Sequence, residues 1–164
     1  LSQRPRPPRA LPPSLPAALP ILSHGARRAL LVQGAPANLA AQWVNDGRRL
    51  DMQGLADELG VSRVTLFRHV GGREELTSKA LWVLTERSLM TATRRWEAER
   101  AEGELHTPGT GRHLNEIVSQ AQGLRRLLDD EPALTMRGLT DPLGRVQTGI
   151  VSYVAALLRR DWGD

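Results

Sequence analysis

The chain of 164 residues is long enough for one globular domain, or for a small domain with a second one packed against it. It contains no cysteine, which excludes disulfide frameworks and cysteine metal sites and is compatible with a reducing cytoplasm. The net charge of +4 arises in the first 34 residues, which carry five arginines and no acid, so overall basicity is no evidence that the folded part binds nucleic acid.

Residues 1–36 contain eight of the eleven prolines and show no regular apolar periodicity. This composition predicts a disordered or extended Pro/Arg-rich tail. Pro16 and Pro20 interrupt its most apolar stretch, which argues against a signal peptide, and no apolar run reaches the roughly 20 residues of a membrane span. Two interpretations of the tail stay open: translated upstream sequence, or a basic arm that follows DNA phosphates. We expect a cytoplasmic protein with no membrane partner.

A helix is predicted from Pro36 to Asp46, with Trp43 as a core residue beneath the helices that follow. Residues 50–76, LDMQGLADELGVSRVTLFRHVGGREEL, then predict two short helices joined by a tight turn. Gly60 stands where a helix end favours a left-handed residue, and Ser62 stands where a hydroxyl can cap the next helix. Two apolar-faced helices separated in this way are typical of a DNA-binding helix-turn-helix.

A long helix is predicted from the region of Gly72 to about Ala101, with apolar residues on two of its sides. A helix that is apolar on two sides must be covered on two sides, so we expect it to connect the helix-turn-helix with a second helical layer. Residues 102–111, rich in Gly, Pro and Thr, predict a loop. Its Gly-Thr-Gly lacks the Gly-Lys-Ser/Thr ending of a phosphate-binding loop, so no nucleotide role is expected.

Three more helices are predicted after that loop, over residues 114–128, from Pro132 onward, and over residues 142–160. Asp141 is expected to cap the last of them, with Pro142 at its first position. No stretch alternates as a strand. The expected fold is therefore all-α, with about seven helices.

The four histidines have no helical metal-ligand spacing, and no serine or carboxylate pair forms a recognisable catalytic arrangement with them. We therefore expect no metal, no cofactor and no enzymatic activity. The four are His24, His69, His106 and His113.

Residues 37–84 resemble the N-terminal DNA-binding domain of TetR-type transcriptional regulators. The family pattern is similar to I-A-x-x-x-G-V-S-x-x-T-L-Y-x-H-F/V-x-x-K-x-x-L, and this chain matches most of its fixed positions without a gap. The sequence departs from it at Phe67, where the family usually has Tyr, and at Arg73, where Lys is common. The matching residues are Leu55-Ala56, Leu59-Gly60-Val61-Ser62, Thr65-Leu66-Phe67, His69 and Arg73-Glu74-Glu75-Leu76.

The resemblance implies that the helix at about Ser62–Val70 lies in the major groove of double-stranded operator DNA. Arginine can bind guanine, glutamine can bind adenine, and the methyl groups of valine and threonine can meet that of thymine. Phosphate contacts fix the register without specifying sequence, and Phe67 cannot supply the phenolic hydrogen bond that Tyr would. The implied base-edge residues are Gln53, Arg63, Val64 and Thr65, and the implied phosphate contacts are Ser62, Phe67, His69 and Arg73.

The resemblance also implies that residues 85–164 form a helical regulatory domain that binds an unknown small-molecule effector and makes a homodimer. The implied function is a ligand-responsive repressor on a palindromic operator. Candidate pocket residues are Trp82, Trp96, Leu128 and Met136, although such residues at helical spacing also suit a plain core.

Because the chain stops at Asp164, soon after its last amphipathic helix, we expect the main dimerisation helices to be missing and the regulatory domain to be incomplete. The alternative function is a truncated helical interaction module. It would pair with a related full-length regulator and bind DNA poorly alone.

Overall fold

The computed structural model describes residues 24–163, which form nine α-helices and no strand. The predicted all-α fold is confirmed. The helices are α1 (His24–Val32), α2 (Ala35–Asn45), α3 (Met52–Glu58), α4 (Arg63–Val70), α5 (Arg73–Glu99), α6 (His106–Ser119), α7 (Gln122–Asp130), α8 (Pro132–Thr140) and α9 (Arg145–Trp162).

Helix α1 corrects the predicted tail, because residues 24–32 are helical rather than extended. Seven of the eight prolines in residues 1–36 precede residue 21, so the average composition concealed a proline-free stretch that can form a helix. Leu31 is buried, and α1 packs against α2 and α4. Gly34, with φ of 84°, ends this helix before α2 begins. The rest of the predicted tail, residues 1–23, lies outside the described residues.

Helix α5 is covered on more than one side, as its two apolar stripes predict. It packs against α2 on one side and against α6, α8 and α9 elsewhere. Two glycines of neighbouring helices let its tryptophans approach closely. A Cβ at Gly149 of α9 would lie 2.1 Å from the ring of Trp82, and a Cβ at Gly109 of α6 would lie 2.1 Å from that of Trp96. Helix α5 therefore joins the helix-turn-helix to the second helical layer through close contacts.

The predicted loop over residues 102–111 is wrong in its second half, because α6 begins at His106 and includes the Gly-Thr-Gly segment. The first amides of α6 have an acceptor from a distant part of the chain. The carboxylate of Asp161, in the last turn of α9, accepts the backbone N–H of His106 at 2.5 Å and that of Thr107 at 2.8 Å. This contact spans more than 50 residues of sequence and replaces the local cap that α6 lacks.

The predicted single helix over residues 114–128 is broken in the structure at Gln120 and Ala121. After the break, α7 packs on the C-terminal end of α2, where a Cβ at Gly123 would lie 2.1 Å from the carbonyl oxygen of Val44. The apolar spacing continues across the break, which is why the sequence pattern did not reveal it.

The predicted start of the last helix is three residues too early, since α9 begins at Arg145. The carboxylate of Asp141 accepts the N–H of Leu143 at 3.1 Å, and the N–H of Gly144 donates to the carbonyl of Asp141 at 2.9 Å. The residues before α9 therefore form a turn of their own. The predicted Pro132 start of α8 is confirmed.

Alanine substitutions at two glycines of α6 should change the free energy of unfolding in opposite directions. Gly111→Ala is expected to raise the free energy of unfolding by about 0.5–1 kcal/mol, because alanine restricts the unfolded chain and nothing lies within 4 Å of the added Cβ. Gly109→Ala is expected to lower it, since its Cβ would clash with Trp96. Urea denaturation of both variants measures the difference, and a shift of the same sign in both would contradict the packing of α6 on α5.

Candidate nucleic-acid interface

Helices α3 and α4 are joined by the turn that the sequence predicts. Gly60 has φ of 66°, a left-handed conformation that favours glycine. The hydroxyl of Ser62 accepts the N–H of Thr65 at 3.1 Å and so caps α4. Both local predictions are confirmed, and together they fix the angle at which the chain enters α4.

Asp51 caps α3, a role that the sequence prediction did not include. Its carboxylate accepts the N–H of Gly54 at 2.7 Å and that of Gln53 at 3.3 Å. The hydrogen bond from Gly54 is the main reason that the pKa of Asp51 lies below its usual range, and the nearby charges of Arg63 and Arg73 lower it further. These two arginines therefore bring positive charge to the same region of the motif.

The inner faces of α3 and α4 are buried in one core. Trp43 of α2 is buried beneath them, as predicted, and its Nε1–H donates to Glu58 at 3.1 Å. The ring of Trp43 also packs closely on Gly54. The buried apolar residues of the two helices are Met52, Leu55, Ala56, Leu66 and Val70.

The outer face of α4 carries two exposed apolar side chains among arginines and a histidine. Val64 is 60% exposed and Phe67 is 58% exposed, and Arg63 and His69 are exposed beside them. Arg68, which the sequence prediction left out, is exposed as well and lies one helical turn after Val64. Its spacing from Val64 was the signal that could have identified it. Helix α4 thus has an inner face packed in the core and an outer face suited to contact base edges and sugars.

Two of the predicted base-edge residues are engaged within the protein. The Gln53 amide donates to the carboxylate of Asp57 at 2.8 Å. The Thr65 hydroxyl shares a hydrogen bond of 2.8 Å with that of Ser62, a predicted phosphate contact. One of the two N–H groups of the Gln53 amide is therefore already engaged by Asp57.

Arg73, which is predicted to contact phosphate, forms hydrogen bonds with acceptors of the protein itself. Its Nε–H donates to the carbonyl of Leu50 at 2.9 Å, and its Nη2 pairs with the carboxylate of Glu131. Arg49 lies 3.9 Å from the same Glu131 oxygen. The guanidinium of Arg48 stacks on the Trp43 ring at 3.7 Å. Of these three arginines, Arg73 is the one most firmly held by hydrogen bonds.

The four predicted pocket residues do not come together. Trp82 and Trp96 are 14 residues apart on α5, roughly 21 Å along the helix axis. Met136 of α8 is 48% exposed, and Leu128 of α7 is half-buried. Of the four, Trp96 alone lines the open cleft formed with Leu105, Pro108 and Arg112, among other residues. Each tryptophan instead packs directly on a glycine of a neighbouring helix, Trp82 on Gly149 and Trp96 on Gly109.

His106 and His113 lie among carboxylates at the far end of α5. Nδ1 of His106 is 2.7 Å from Asp161, and Nδ1 of His113 is 3.2 Å from Glu116. Among the side chains that the structure describes, no group of three or more His, Asp or Glu is arranged to hold a metal ion. Across residues 24–163, none of the helices is both long enough and apolar enough to cross a membrane.

No protein-family model and no curated protein matches the sequence. Among solved structures, the chain is similar to the R. erythropolis transcriptional repressor QsdR from the TetR family, with a TM-score of 0.69 and 27% sequence identity. The match covers 85% of this chain and 69% of that one, so it extends far beyond the helix-turn-helix. The chain therefore has a TetR-type fold, and its likeness to a repressor supports a role as a transcriptional regulator.

Proposed function

We propose that the chain is a sequence-specific DNA-binding transcriptional regulator, a ligand-responsive repressor that acts as a homodimer on a palindromic operator. The observation that carries the proposal is the construction of α4. Its inner face is fixed in the core by Leu66 and Val70, while Arg63, Val64 and Arg68 face outward. A helix held in this way can enter the major groove without losing its own packing.

The chemistry of the outer face fits direct reading of bases. Arg63 and Arg68 can each donate a pair of hydrogen bonds to guanine, and the methyl groups of Val64 can meet the methyl group of thymine. His69, near the C-terminal end of α4, can contact a phosphate and so fix the register. The Phe67 ring can pack on sugar, although it has no hydroxyl group to donate.

Residues 37–84 would form the DNA-binding domain and residues 85–164 the regulatory domain, with α5 running through both. Close contacts support coupling along α5. A Cβ at Gly138 of α8 would lie 2.8 Å from Leu81, and the Tyr153 hydroxyl of α9 is 2.6 Å from that of Thr93. An effector bound among α6 to α9 would tilt α5 and change the spacing between the two α4 helices of a dimer. A dimer reads half-sites at fixed spacing, so this change would weaken binding at both.

An exposed apolar stripe on α9 supports pairing with a second chain. Val151 is 64% exposed and Trp162 is 64% exposed, and Val154 and Leu158 lie between them at helical spacing. The same stripe would serve the alternative function, an interaction module that pairs with a related regulator and binds DNA poorly alone.

Selection of bound duplexes from a random DNA pool tests the proposal. The expected result is convergence on a motif with two-fold symmetry, since a homodimer presents two copies of α4. A single, unrepeated half-site would remove the homodimer from the proposal. Failure to enrich any sequence would contradict the proposed function and favour the interaction module, which binds DNA poorly alone.

A further inference from the structure

We propose that Glu131 is a positioning residue that withholds Arg73 from DNA phosphate and thereby connects the α7–α8 junction to DNA affinity. The inference rests on the proposed function, since it concerns the regulation of the same interface. Arg73 begins α5, directly after α4 and its turn, and its side chain is 34% exposed.

The Arg73 guanidinium is engaged at two of its three nitrogens. Its Nε–H donates to the carbonyl of Leu50, and Nη2 forms an ion pair with Oε1 of Glu131. The Nε atom of Arg49 lies 3.9 Å from the same oxygen. One carboxylate, itself only 13% exposed, therefore faces two arginines beside the helix-turn-helix.

Glu131 is held by its backbone at the corner between α7 and α8. Its carbonyl oxygen accepts the N–H of Thr135 at 3.0 Å and the Thr135 hydroxyl at 2.8 Å. The carbonyl oxygen of Leu127 lies 3.1 Å from the same hydroxyl and shares its single proton, and Thr135 is fully buried. The carboxylate is thus carried by a rigid corner of the regulatory layer rather than by a loose surface loop.

A carboxylate and a phosphate offer a guanidinium the same kind of anionic oxygen acceptor. The charges of Arg63 and Arg73 both lower the pKa of Asp51, which places the charge of Arg73 at the same motif as the proposed base contacts. While Nη2 is paired with Glu131, the donor that faces Glu131 is not available to phosphate. Movement of the α7–α8 corner would therefore change DNA affinity, and DNA would in turn favour one position of the corner.

The test compares Glu131→Gln with Glu74→Gln, which removes the same charge from a neighbouring position. Glu74 pairs with the exposed Arg137 at 2.7 Å instead of with Arg73. Affinity for a mixed-sequence duplex is measured over a range of salt concentrations. Glu131→Gln is expected to bind several-fold tighter than Glu74→Gln at low salt. Its log–log salt dependence should be steeper by about 0.9, the contribution of one phosphate contact.

Equal affinities and slopes for the two variants would overturn the inference. Adding Arg73→Gln to Glu131→Gln is expected to abolish the gain, and a gain that persisted would also overturn it. If Glu131→Gln fails to fold, Glu131→Asp keeps the charge but shortens its reach, and it should show part of the same gain. A wild-type chain that binds no duplex even at low salt would instead refute the proposed function itself.

Discussion

Replacing Asp161 by alanine is expected to lower the free energy of unfolding by about 2–4 kcal/mol, because two part-buried amide donors of α6 would lose their acceptor. The side chain of Asp161 is 0% exposed. It accepts the backbone N–H groups of His106 and Thr107, and Nδ1 of His106 lies 2.7 Å from its Oδ1. The loss is measured by urea denaturation with an unchanged m-value.

Asp141→Ala is the matched control. Asp141 is also an aspartate that accepts a backbone N–H, that of Leu143, but it is exposed. Water can replace an exposed acceptor, so the control should lose less than about 1 kcal/mol. Equal losses at the two positions would show that Asp161 is not a structural cap of α6.

The contribution of Asp161 should also depend on pH. Burial alone would raise its pKa, but hydrogen bonds from Thr107 and His106 outweigh burial and hold the pKa of Asp161 well below its usual range. Because the pKa of Asp161 is lower in the folded state, the ionised carboxylate stabilises the fold at pH values above its pKa in the unfolded chain, about 3.9. This stabilisation is lost as the pH falls toward the pKa of the folded state. The stability difference between wild type and Asp161→Ala should be constant near neutral pH and narrower at about pH 3.

Arg63→Ala is expected to cost about 1–3 kcal/mol of binding free energy on the selected site and to relax preference at one position of each half-site. Arg63 is exposed at the first position of α4, where a guanidinium can reach a guanine edge. Arg95→Ala, an exposed arginine in the second half of α5, removes the same charge outside the motif and should leave preference unchanged. Equal weakening on all sequences would assign Arg63 to phosphate instead.

Features of the motif that depend on neighbouring residues were predictable from the sequence. Gly60 and Ser62 act within one turn of their own positions, and the burial of Trp43 follows from the spacing of α2. Arg68 was missed because arginine is common on solvated helix faces, so its residue type gives no signal.

Contacts between distant segments could not be predicted in this way. An acidic residue in the last turn of a helix opposes the helix dipole, and nothing near Asp161 in sequence shows that it caps α6. Arg73 and Glu131 are 58 residues apart, so the sequence gives no sign that they pair. The predicted phosphate contact of Arg73 came from the family resemblance alone. The tryptophans of α5 suggested a pocket, because sequence does not show that Gly109 and Gly149 receive them.

The most direct test of α4 as the reading helix is a parallel selection from random DNA with the wild-type chain and with Arg63→Ala. The expected result is a symmetric motif for the wild type, and the same motif for the variant with preference lost at one symmetry-related position. Identical motifs from the two proteins, or no enriched motif from either, would contradict the assignment of base recognition to Arg63 and the outer face of α4.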